Sequence, residues 1–411
     1  MSESVFRIGG VAADAAVALA AGPFALAGVY LAALSIPPKR RIPPINTTLR
    51  LAVVVPAHNE ATDIAATVQC ILGSDYPSAR RRVLVVADNC SDDTASIARV
   101  AGAEVLERFD DERRGKGYAL ELVFNHLRDA GSTDVIVVVD ADTVVSSNLL
   151  TACASRIADG ERVVQVDYQV RNAERSWRTR LLHIAFTAFH DVRSAGRERF
   201  RLSCGLRGNG MAFSVDTLRL VPHSAFSIVE DLEYGIALGR AGVRVAYAHE
   251  AWVQGHMPSD AKSSESQRSR WEGGRALIRR RDGKSLVTSS IKQRSRVLAD
   301  LAADVYVPPL AQLSTSLIGL SAIAVGGSAV SSHVGGRSWR SPLVGAIGLA
   351  GLGFHVAEGW RRSGTGAAGL LDLARAPIYV GWKLAGKVTK RQSPTPTEWV
   401  RTQRDRQEGA A

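Results

Sequence analysis

The sequence VVVDADTVV at residues 137–145 places two aspartates, Asp140 and Asp142, directly after a run of apolar residues. The run at 135–139 (VIVVV) predicts a strand that is buried on both faces, as strands of parallel sheets are. Side chains separated by one residue on an extended chain point the same way, so both carboxylates can reach one site. Such a pair is suited to holding a divalent metal ion beside a nucleotide.

The same nine residues also fit a second pattern. They resemble the motif of the haloacid-dehalogenase phosphatases, in which the first aspartate is a nucleophile and the second a general acid. These residues alone leave both interpretations open, so the rest of the sequence has to distinguish them.

Strands and helices alternate on the N-terminal side of this stretch. The expected elements are strands at 51–55, 83–87 and 135–139, with helices at 61–72, after 91–94 and at 117–129. This alternation predicts a parallel sheet with helices on both faces, whose ligands bind at the carboxyl ends of the strands. From residue 163 onward the pattern is mixed, with a strand at 163–170, a long helix at 175–196 and a glycine-rich turn at 205–213.

Carboxylates follow each of the three N-terminal strands. Glu60, Asp88, Asp140 and Asp142 are therefore expected on one edge of one sheet. Carboxylates held close together repel one another, so we expect a metal ion or a cationic side chain among them. A dinucleotide-binding site is disfavoured, because no G-x-G-x-x-G motif follows the first strand.

Glu230 and Asp231 begin another predicted helix, whose Leu232, Ile236 and Leu238 face inward. Acidic residues in a first helical turn often do no more than interact with the helix dipole. Taken alone, the two residues favour that structural interpretation.

Three uncharged segments, at 15–36, 305–331 and 342–357, are long enough to be membrane spans. The first could instead be a cleaved signal peptide. However, it is long for one, and basic residues follow it at 39–41, as in a membrane anchor. The segment at 370–387 has an apolar face but carries charges, so we expect a helix that lies in the membrane interface.

Basic residues at 39–41, 361–362 and 387–391 predict that the large polar domain and the C-terminus lie in the cytoplasm, at the plasma membrane. Arg337 and Arg340 in the predicted outer loop argue weakly against this orientation. We expect four parts: an N-terminal anchor at 1–46, a catalytic domain at 47–283, interfacial and transmembrane helices at 284–391, and a tail at 392–411.

The net charge of +11 is concentrated at 262–296, a segment that contains eleven Lys or Arg and three Asp or Glu. No aromatic interleaving or nucleic-acid motif accompanies this segment, so we expect it to face lipid head groups or a phosphorylated ligand, not nucleic acid. The four cysteines form no C-x-x-C pair, which disfavours a zinc site or a disulfide framework.

Six motifs occur in order between residues 53 and 271: VVVPAHNE, VVADNCSDDT, RGKGYAL, VVVDAD, VED and QRSRW. Together they resemble the membrane-bound inverting glycosyltransferases of family 2, the group that contains cellulose, chitin and hyaluronan synthases and ceramide glucosyltransferase. The resemblance implies the GT-A fold, an α/β fold with a Rossmann-like mixed sheet and helices on both faces. It covers the polar domain, and the flanking apolar segments agree with it.

The resemblance also implies roles for individual residues. Pro56, Glu60, Asp88, Lys116 and Asp140 match positions of the nucleotide site. Asp140 and Asp142 match the D-x-D pair that holds Mg²⁺ or Mn²⁺, and Asp231 matches the general base. Gln267, Arg270 and Trp271 match Q-x-x-R-W, in which the arginine neutralises the diphosphate and the indole stacks on an acceptor sugar; Trp271 could also be an interfacial anchor.

The implied activity is transfer of a sugar, with inversion, from a nucleotide-sugar to a lipid-linked or growing polysaccharide acceptor at the inner face of the membrane. A UDP-sugar is the expected donor. The resemblance also allows further partners: membrane lipids, a second copy of the chain and exopolysaccharide-assembly proteins. Because few spans are present, transfer of one or a few sugars is as consistent with the sequence as processive synthesis.

The alternatives explain less of the sequence. In the phosphatase interpretation the DADT strand should come early, whereas here it is expected third in the sheet, and the other motifs have no role. A catalytically inactive scaffold is disfavoured, because every acidic position that the chemistry needs is occupied.

Overall fold

A mixed sheet of eight strands lies at the centre of the part of the chain that the computed structural model describes, residues 2–37, 41–257, 261–333, 339–378 and 381. The strands are β1 (Leu51–Ala57), β2 (Arg81–Asp88), β3 (Glu104–Arg108), β4 (Val135–Val138), β5 (Val144–Val145), β6 (Val163–Val170), β7 (Met211–Ser214) and β8 (Val245–Gly255). Their order across the sheet is β3-β2-β1-β4-β7-β6-β8-β5. Strands β3, β2, β1 and β4 are parallel to one another, and β7 joins β4 in the antiparallel direction.

Fourteen α-helices surround the sheet or extend from it within these residues. They are α1 (Ser2–Ser35), α2 (Ile64–Leu72), α3 (Thr94–Val100), α4 (Lys116–Ala130), α5 (Leu149–Ala158), α6 (Trp177–Thr187), α7 (Arg193–Arg199), α8 (Val215–Leu220), α9 (Glu230–Arg240), α10 (Ala261–Lys292), α11 (Arg296–Tyr306), α12 (Leu310–His333), α13 (Arg340–Ser363) and α14 (Gly366–Ala374).

The sheet is covered on both faces, as the valine-rich strands require. On one face, residues of α2, α3 and α5 pack against alternate residues of β1, β2 and β4. On the other face, α4, α8 and α9 pack against the intervening residues. The predicted fold class, a mixed α/β sheet with helices on both faces and additional apolar helices, is confirmed.

The prediction missed strand β3, so the strand before Asp140 is the fourth in chain order and not the third. β3 is short, lies at the edge of the sheet and has a half-exposed sequence (EVLER), so it lacks the continuous apolar run that marks a buried strand.

The long helix expected at 175–196 is a series of shorter helical segments. A 3₁₀ turn (Ala173–Arg175) precedes α6, and a π-helical turn (Ala188–Val192) joins α6 to α7. Ser176 begins α6 with a capping box, in which its hydroxyl accepts from the Thr179 backbone N–H. π-helical turns occur frequently at functional sites, and this one lies beside the cavity described below.

Among the described residues, three helices are long and apolar enough to cross a membrane, over Gly10–Ser35, Leu310–Ala329 and Arg340–Ser363. They coincide with the three predicted segments. The second begins at Leu310 and not at 305, because Pro308 and Pro309 separate it from α11. The orientation of these helices stays a prediction, since most of the basic residues on which it rests lie outside the described residues.

Helices α1 and α13 approach each other closely through glycines. A Cβ added at Gly28 would lie 2.4 Å from the Gly348 carbonyl oxygen, and one added at Gly351 would lie 2.6 Å from the Gly28 carbonyl oxygen. Small residues at such spacing let helix backbones pack directly against each other.

Two features bear on the expectations for the C-terminal part, which stay predictions. In the segment expected to lie in the interface, α14 covers the start, and Asp372 is buried against α6 with its carboxylate 2.7 Å from Arg180 Nε. This charge is therefore neutralised inside the protein and does not face head groups; the part of the segment from 382 onward lies outside the described residues. Helix α10 also runs without a break across 283–284, where we placed a domain boundary.

The basic segment at 262–296 forms most of α10, and several of its charges are paired within the protein. Arg275 contacts Asp304 of α11, Arg281 contacts Glu233 of α9, and Asp282 contacts Arg240. Only part of its positive charge is therefore available to lipids or to a phosphorylated ligand.

Candidate active site

A cavity of about 1020 Å³ lies at the carboxyl ends of β1, β2 and β4. All ten residues that the sequence singled out line it: Pro56, Glu60, Asp88, Lys116, Asp140, Asp142, Asp231, Gln267, Arg270 and Trp271. For the residues that follow β1, β2 and β4, the parallel strands explain this convergence, because their carboxyl ends meet at one edge of the sheet. The roles of the individual residues stay predictions.

The backbone turns sharply after β1 and after β2, which leaves polar side chains at the edge of the cavity. Asn59 and Asn89 have positive φ angles of 54° and 51°, a conformation that asparagine tolerates better than most residues. The two turns are tied together, because the Ser91 N–H donates to Asn59 Oδ1 at 2.8 Å. His58 Nδ1 also lies 2.7 Å from the Asp88 carbonyl oxygen.

Asp88 is paired with an arginine that the sequence analysis did not identify. Arg108, at the end of β3, places Nη1 2.6 Å from Asp88 Oδ1, and both side chains are only 9% exposed. Burial raises the pKa of Asp88, while Arg108 offsets part of this effect. Because β3 was missed, no signal in the sequence placed Arg108 next to β2.

Lys116, at the start of α4, is the cationic side chain expected among the carboxylates. Its ammonium contacts Asp140, donates to the Gly208 carbonyl oxygen at 2.6 Å and lies 3.9 Å from Glu230 Oε1. Burial alone would lower the pKa of Lys116, but Asp140 and Glu230 outweigh this effect and raise it. The lysine is therefore held in its charged form beside the carboxylates at this end of the sheet. We call these carboxylates the acidic edge: Glu60, Asp88, Asp140 and Asp142.

Glu230 and Asp231 occupy the first turn of α9, as predicted, and both line the cavity. Asp231 Oδ1 accepts a hydrogen bond from the Leu232 N–H at 2.7 Å. Burial raises the pKa of both carboxyls, that of Glu230 to about 7, while Lys116 opposes the shift. Because two neighbouring carboxylates titrate as a pair, this part of the site holds or releases a proton near neutral pH.

The Q-x-x-R-W residues reach the same cavity from α10, which lies far along the chain from the sheet edge. Gln267, Arg270 and Trp271 all line it, and Trp271 is 42% exposed. The structure thus brings this motif to the cavity that Asp140 and Asp231 also line.

The cavity continues beyond Asp231 into a region that the sequence analysis did not identify. Three arginines, Arg193, Arg207 and Arg275, line it there, and farther on its wall is apolar and includes residues of α6 and α12. These arginines come from three separate segments without a shared motif, so their proximity depends on the tertiary fold.

Comparisons with known proteins agree with this architecture. The chain is 26% identical over 240 residues to a probable glycosyltransferase, YdaM, of Bacillus subtilis (strain 168), covering 56% of each chain. It is also 26% identical over 235 residues to an N-acetylglucosaminyltransferase of Rhizobium meliloti (strain 1021), covering 53% of this chain and 54% of the relative. The chain thus spans about half the length of these curated relatives.

Among solved structures, the mannosyltransferase PcManGT of Pyrobaculum calidifontis superimposes with a TM-score of 0.53 at 18% sequence identity. The match covers 83% of this chain and 97% of that one, and at this identity it is evidence for the fold alone. The model of the family described as "Glycosyltransferase like family 2" matches residues 49–274 of the 411, which is more than half of the chain and includes all ten cavity residues named above. The chain therefore belongs to glycosyltransferase family 2.

Proposed function

We propose that the protein transfers a sugar, with inversion, from a nucleotide-sugar to a lipid-linked or saccharide acceptor. The observation that carries this proposal is the convergence of the acidic edge, Lys116 and Asp231 on one cavity that continues toward apolar helices. Its volume of about 1020 Å³ is at the upper end of the roughly 300–1,000 Å³ typical of single small-ligand sites, so a donor and part of an acceptor can be bound together.

The nucleotide is assigned to the side of the cavity that Pro56, Glu60 and Asp88 line. Carboxylates accept charge-assisted hydrogen bonds from ribose hydroxyls and from the N–H groups of a base. Asp88 is held by Arg108, so its orientation is fixed before a nucleotide binds. A UDP-sugar is the expected donor; PcManGT is described with GDP-Man, so GDP-sugars belong in the test as well.

Asp140 and Asp142 are the residues proposed to hold Mg²⁺ or Mn²⁺. Both carboxylates line the cavity, and they offer the oxygen ligands that these ions prefer. No group of three or more His, Cys, Asp or Glu that could hold a metal occurs among the described residues, so the other ligands would be diphosphate oxygens and water. PcManGT is described with Mn²⁺, which supports this assignment. When bound, the ion would neutralise charge on the leaving diphosphate.

Asp231 is proposed to be the general base. In the transfer, Asp231 removes the proton of the acceptor hydroxyl. At the same time the hydroxyl oxygen attacks the anomeric carbon from the side opposite the nucleotide. The bond between that carbon and the phosphate oxygen breaks, and its electron pair leaves with the nucleoside diphosphate. Lys116 and Arg270 can stabilise the charge that develops on this leaving group.

The membrane assignment rests on the three apolar helices α1, α12 and α13. We place the catalytic domain on the cytoplasmic side of the plasma membrane, on the charge pattern of the sequence. The phosphatase interpretation of Asp140 and Asp142 is abandoned, because the chain belongs to a different family whose match includes both residues.

The test is a screen of the purified full-length protein against UDP- and GDP-sugars, measuring release of the nucleoside diphosphate with Mn²⁺ and with EDTA. We expect release from one donor, dependent on the metal and increased by a membrane-lipid extract that supplies the acceptor. Release of inorganic phosphate from simple phosphomonoesters, with every nucleotide-sugar left intact, would contradict the proposal.

A further inference from the structure

Three arginines surround a single aromatic ring in the wall of the cavity beyond Asp231. The guanidinium carbons of Arg207, Arg193 and Arg275 lie 4.2, 4.7 and 5.7 Å from the centroid of the Phe189 ring. All four residues line the cavity. Phe189 belongs to the π-helical turn after α6, so the irregular backbone there positions the ring that the arginines share.

The carboxylates of this cluster do not balance its positive charge. Asp304 forms ion pairs with Arg193, with Arg197 at 2.5 Å and with Arg275 at 2.8 Å. Asp300 forms an ion pair with Arg197 at 2.8 Å. With Arg207, four guanidinium groups therefore face two carboxylates in this network.

Arg207 is the member of the cluster best placed to receive an anion. Its Nη2 donates to the Cys204 carbonyl oxygen at 2.8 Å, a neutral acceptor. The Nε atoms of Arg207 and of the largely buried Arg193 have no hydrogen-bond partner within the described part of the chain. Burial lowers the pKa of Arg207 to about 10. Asp304 opposes this shift, whereas the neighbouring Arg197 and Arg193 act in the same direction as burial. An anion placed there would relieve this repulsion and complete the hydrogen bonding.

Apolar side chains continue the wall from the arginines toward the helices that could cross a membrane. They include Leu181 and Ile184 of α6, Leu310 of α12, Val356 of α13 and Leu373 of α14. On the other side, Asp231 is close to the arginines: a Cβ added at Gly208, next to Arg207, would lie 3.5 Å from Asp231 Oδ2. The cavity therefore passes from carboxylates through a cationic zone to an apolar zone.

We propose that Arg207, with Arg193 and Arg275, binds the phosphate of a phosphorylated lipid, whose hydrocarbon chain occupies the apolar zone. The proposal rests on the proposed function, since it makes this lipid the anchor of the acceptor: the arginines hold the phosphate, and a hydroxyl of a sugar carried on that phosphate lies beside Asp231. The diphosphate of the nucleotide donor has the same chemistry as a lipid phosphate. We assign the donor diphosphate to Lys116 and Arg270 because they lie with the acidic edge and the α10 motif.

The experiment measures binding of three probes to the full-length protein in neutral detergent by calorimetry: farnesyl phosphate, farnesol and inorganic phosphate. A separate titration uses UDP with Mn²⁺. The variants are Arg207→Gln, which removes the charge, and Arg207→Lys, which keeps it. Arg99→Gln is the matched control, because Arg99 is 50% exposed, pairs with Glu107 and is not among the residues that line the cavity.

For the unaltered protein we expect farnesyl phosphate to bind at least about tenfold more tightly than farnesol or inorganic phosphate, the effect of hydrogen bonds to a charged group. Arg207→Gln should lose most of this difference, Arg207→Lys should keep part of it, and UDP affinity should stay within about twofold in both. Arg99→Gln should bind like the unaltered protein.

Equal affinity of the unaltered protein for farnesyl phosphate and farnesol would overturn the proposal, and this comparison needs no variant to fold. Weakened UDP binding in Arg207→Gln, with farnesyl phosphate binding unchanged, would also overturn it and assign the arginines to the donor. Because the readout is binding, it is independent of turnover: failure of every nucleotide-sugar in the activity screen would contradict the proposed function without removing a measured preference for the lipid phosphate.

Discussion

Replacing Asp231 with asparagine separates a catalytic role from a structural one. The Asn side chain keeps the size of Asp231 and an oxygen that can accept from the Leu232 N–H, the 2.7 Å hydrogen bond of the carboxylate. It removes the negative charge and the ability to take up a proton. The helix-dipole interaction that is lost contributes about 0.3–1 kcal/mol. Part of this loss is offset, because the charge of Asp231 also repels Glu230. We therefore expect the stability of the domain to change by less than about 1 kcal/mol.

Activity should change far more than stability. General-base catalysis contributes about 10²- to 10⁴-fold in rate, so transfer by Asp231→Asn should fall by a factor in that range. Nucleotide affinity should stay within a few-fold, because the base acts on the acceptor and only in the transition state. The assay combines initial rates of transfer with calorimetric titration of the nucleotide.

Asp216→Asn is the matched control for this prediction. Asp216 is also an acidic residue in a first helical turn, that of α8, but it is 89% exposed, pairs with Arg219 and does not line the cavity. Its variant should keep full activity. If Asp231→Asn keeps activity within about threefold of the unaltered protein, the assignment of the general base is refuted.

Three further predictions concern the acidic edge and the helix packing. Burial and the neighbouring Asp231 raise the pKa of Glu230 to about 7, so Glu230→Gln should remove a titration step near neutral pH from the pH–rate profile. Lys116→Gln should lower the free energy of unfolding by about 1–2 kcal/mol, a figure reduced because the Lys116 side chain is partly exposed. Added Mn²⁺ should stabilise this variant more than the unaltered protein. Gly348→Ala should destabilise the protein by about 1–3 kcal/mol, whereas Gly353→Ala, where an added Cβ meets nothing within 4 Å, should not.

Each of these predictions has an outcome that contradicts it. A titration step near pH 7 that persists in the pH–rate profile of Glu230→Gln would show that Glu230 is not the group that titrates there. Equal melting temperatures of Lys116→Gln and the unaltered protein would show that the lysine does not neutralise the acidic edge. Equal melting temperatures of the two glycine variants would argue against direct backbone packing of α13 on α1.

The sheet could be predicted from the sequence where a strand is buried on both faces. The continuous apolar runs of β1, β2 and β4 are such cases, and polar residues follow each of them in the sequence. Strand β3 was not predictable in this way, because an exposed edge strand carries no such run. Because β3 was not predicted, Arg108, the partner of Asp88, was not identified either.

The convergence of the ten residues was predictable because local patterns determine it: parallel strands end at one edge, and motifs in order imply a known arrangement. The arginines around Phe189 illustrate the limit. Arg193, Arg207 and Arg275 belong to separate segments, and their shared partner Asp304 lies in a fourth. Contacts between such distant residues depend on how α7, α10 and α11 pack, which periodicity and spacing do not encode.

The anomeric configuration of the first glycosidic bond formed is the decisive observation for the mechanism. It can be determined by NMR before the product is altered. We expect inversion: a donor with an α-linked sugar should give a β-linked product, because the acceptor activated by Asp231 attacks opposite the leaving diphosphate. A product that retains the α configuration would contradict the single displacement with Asp231 as base.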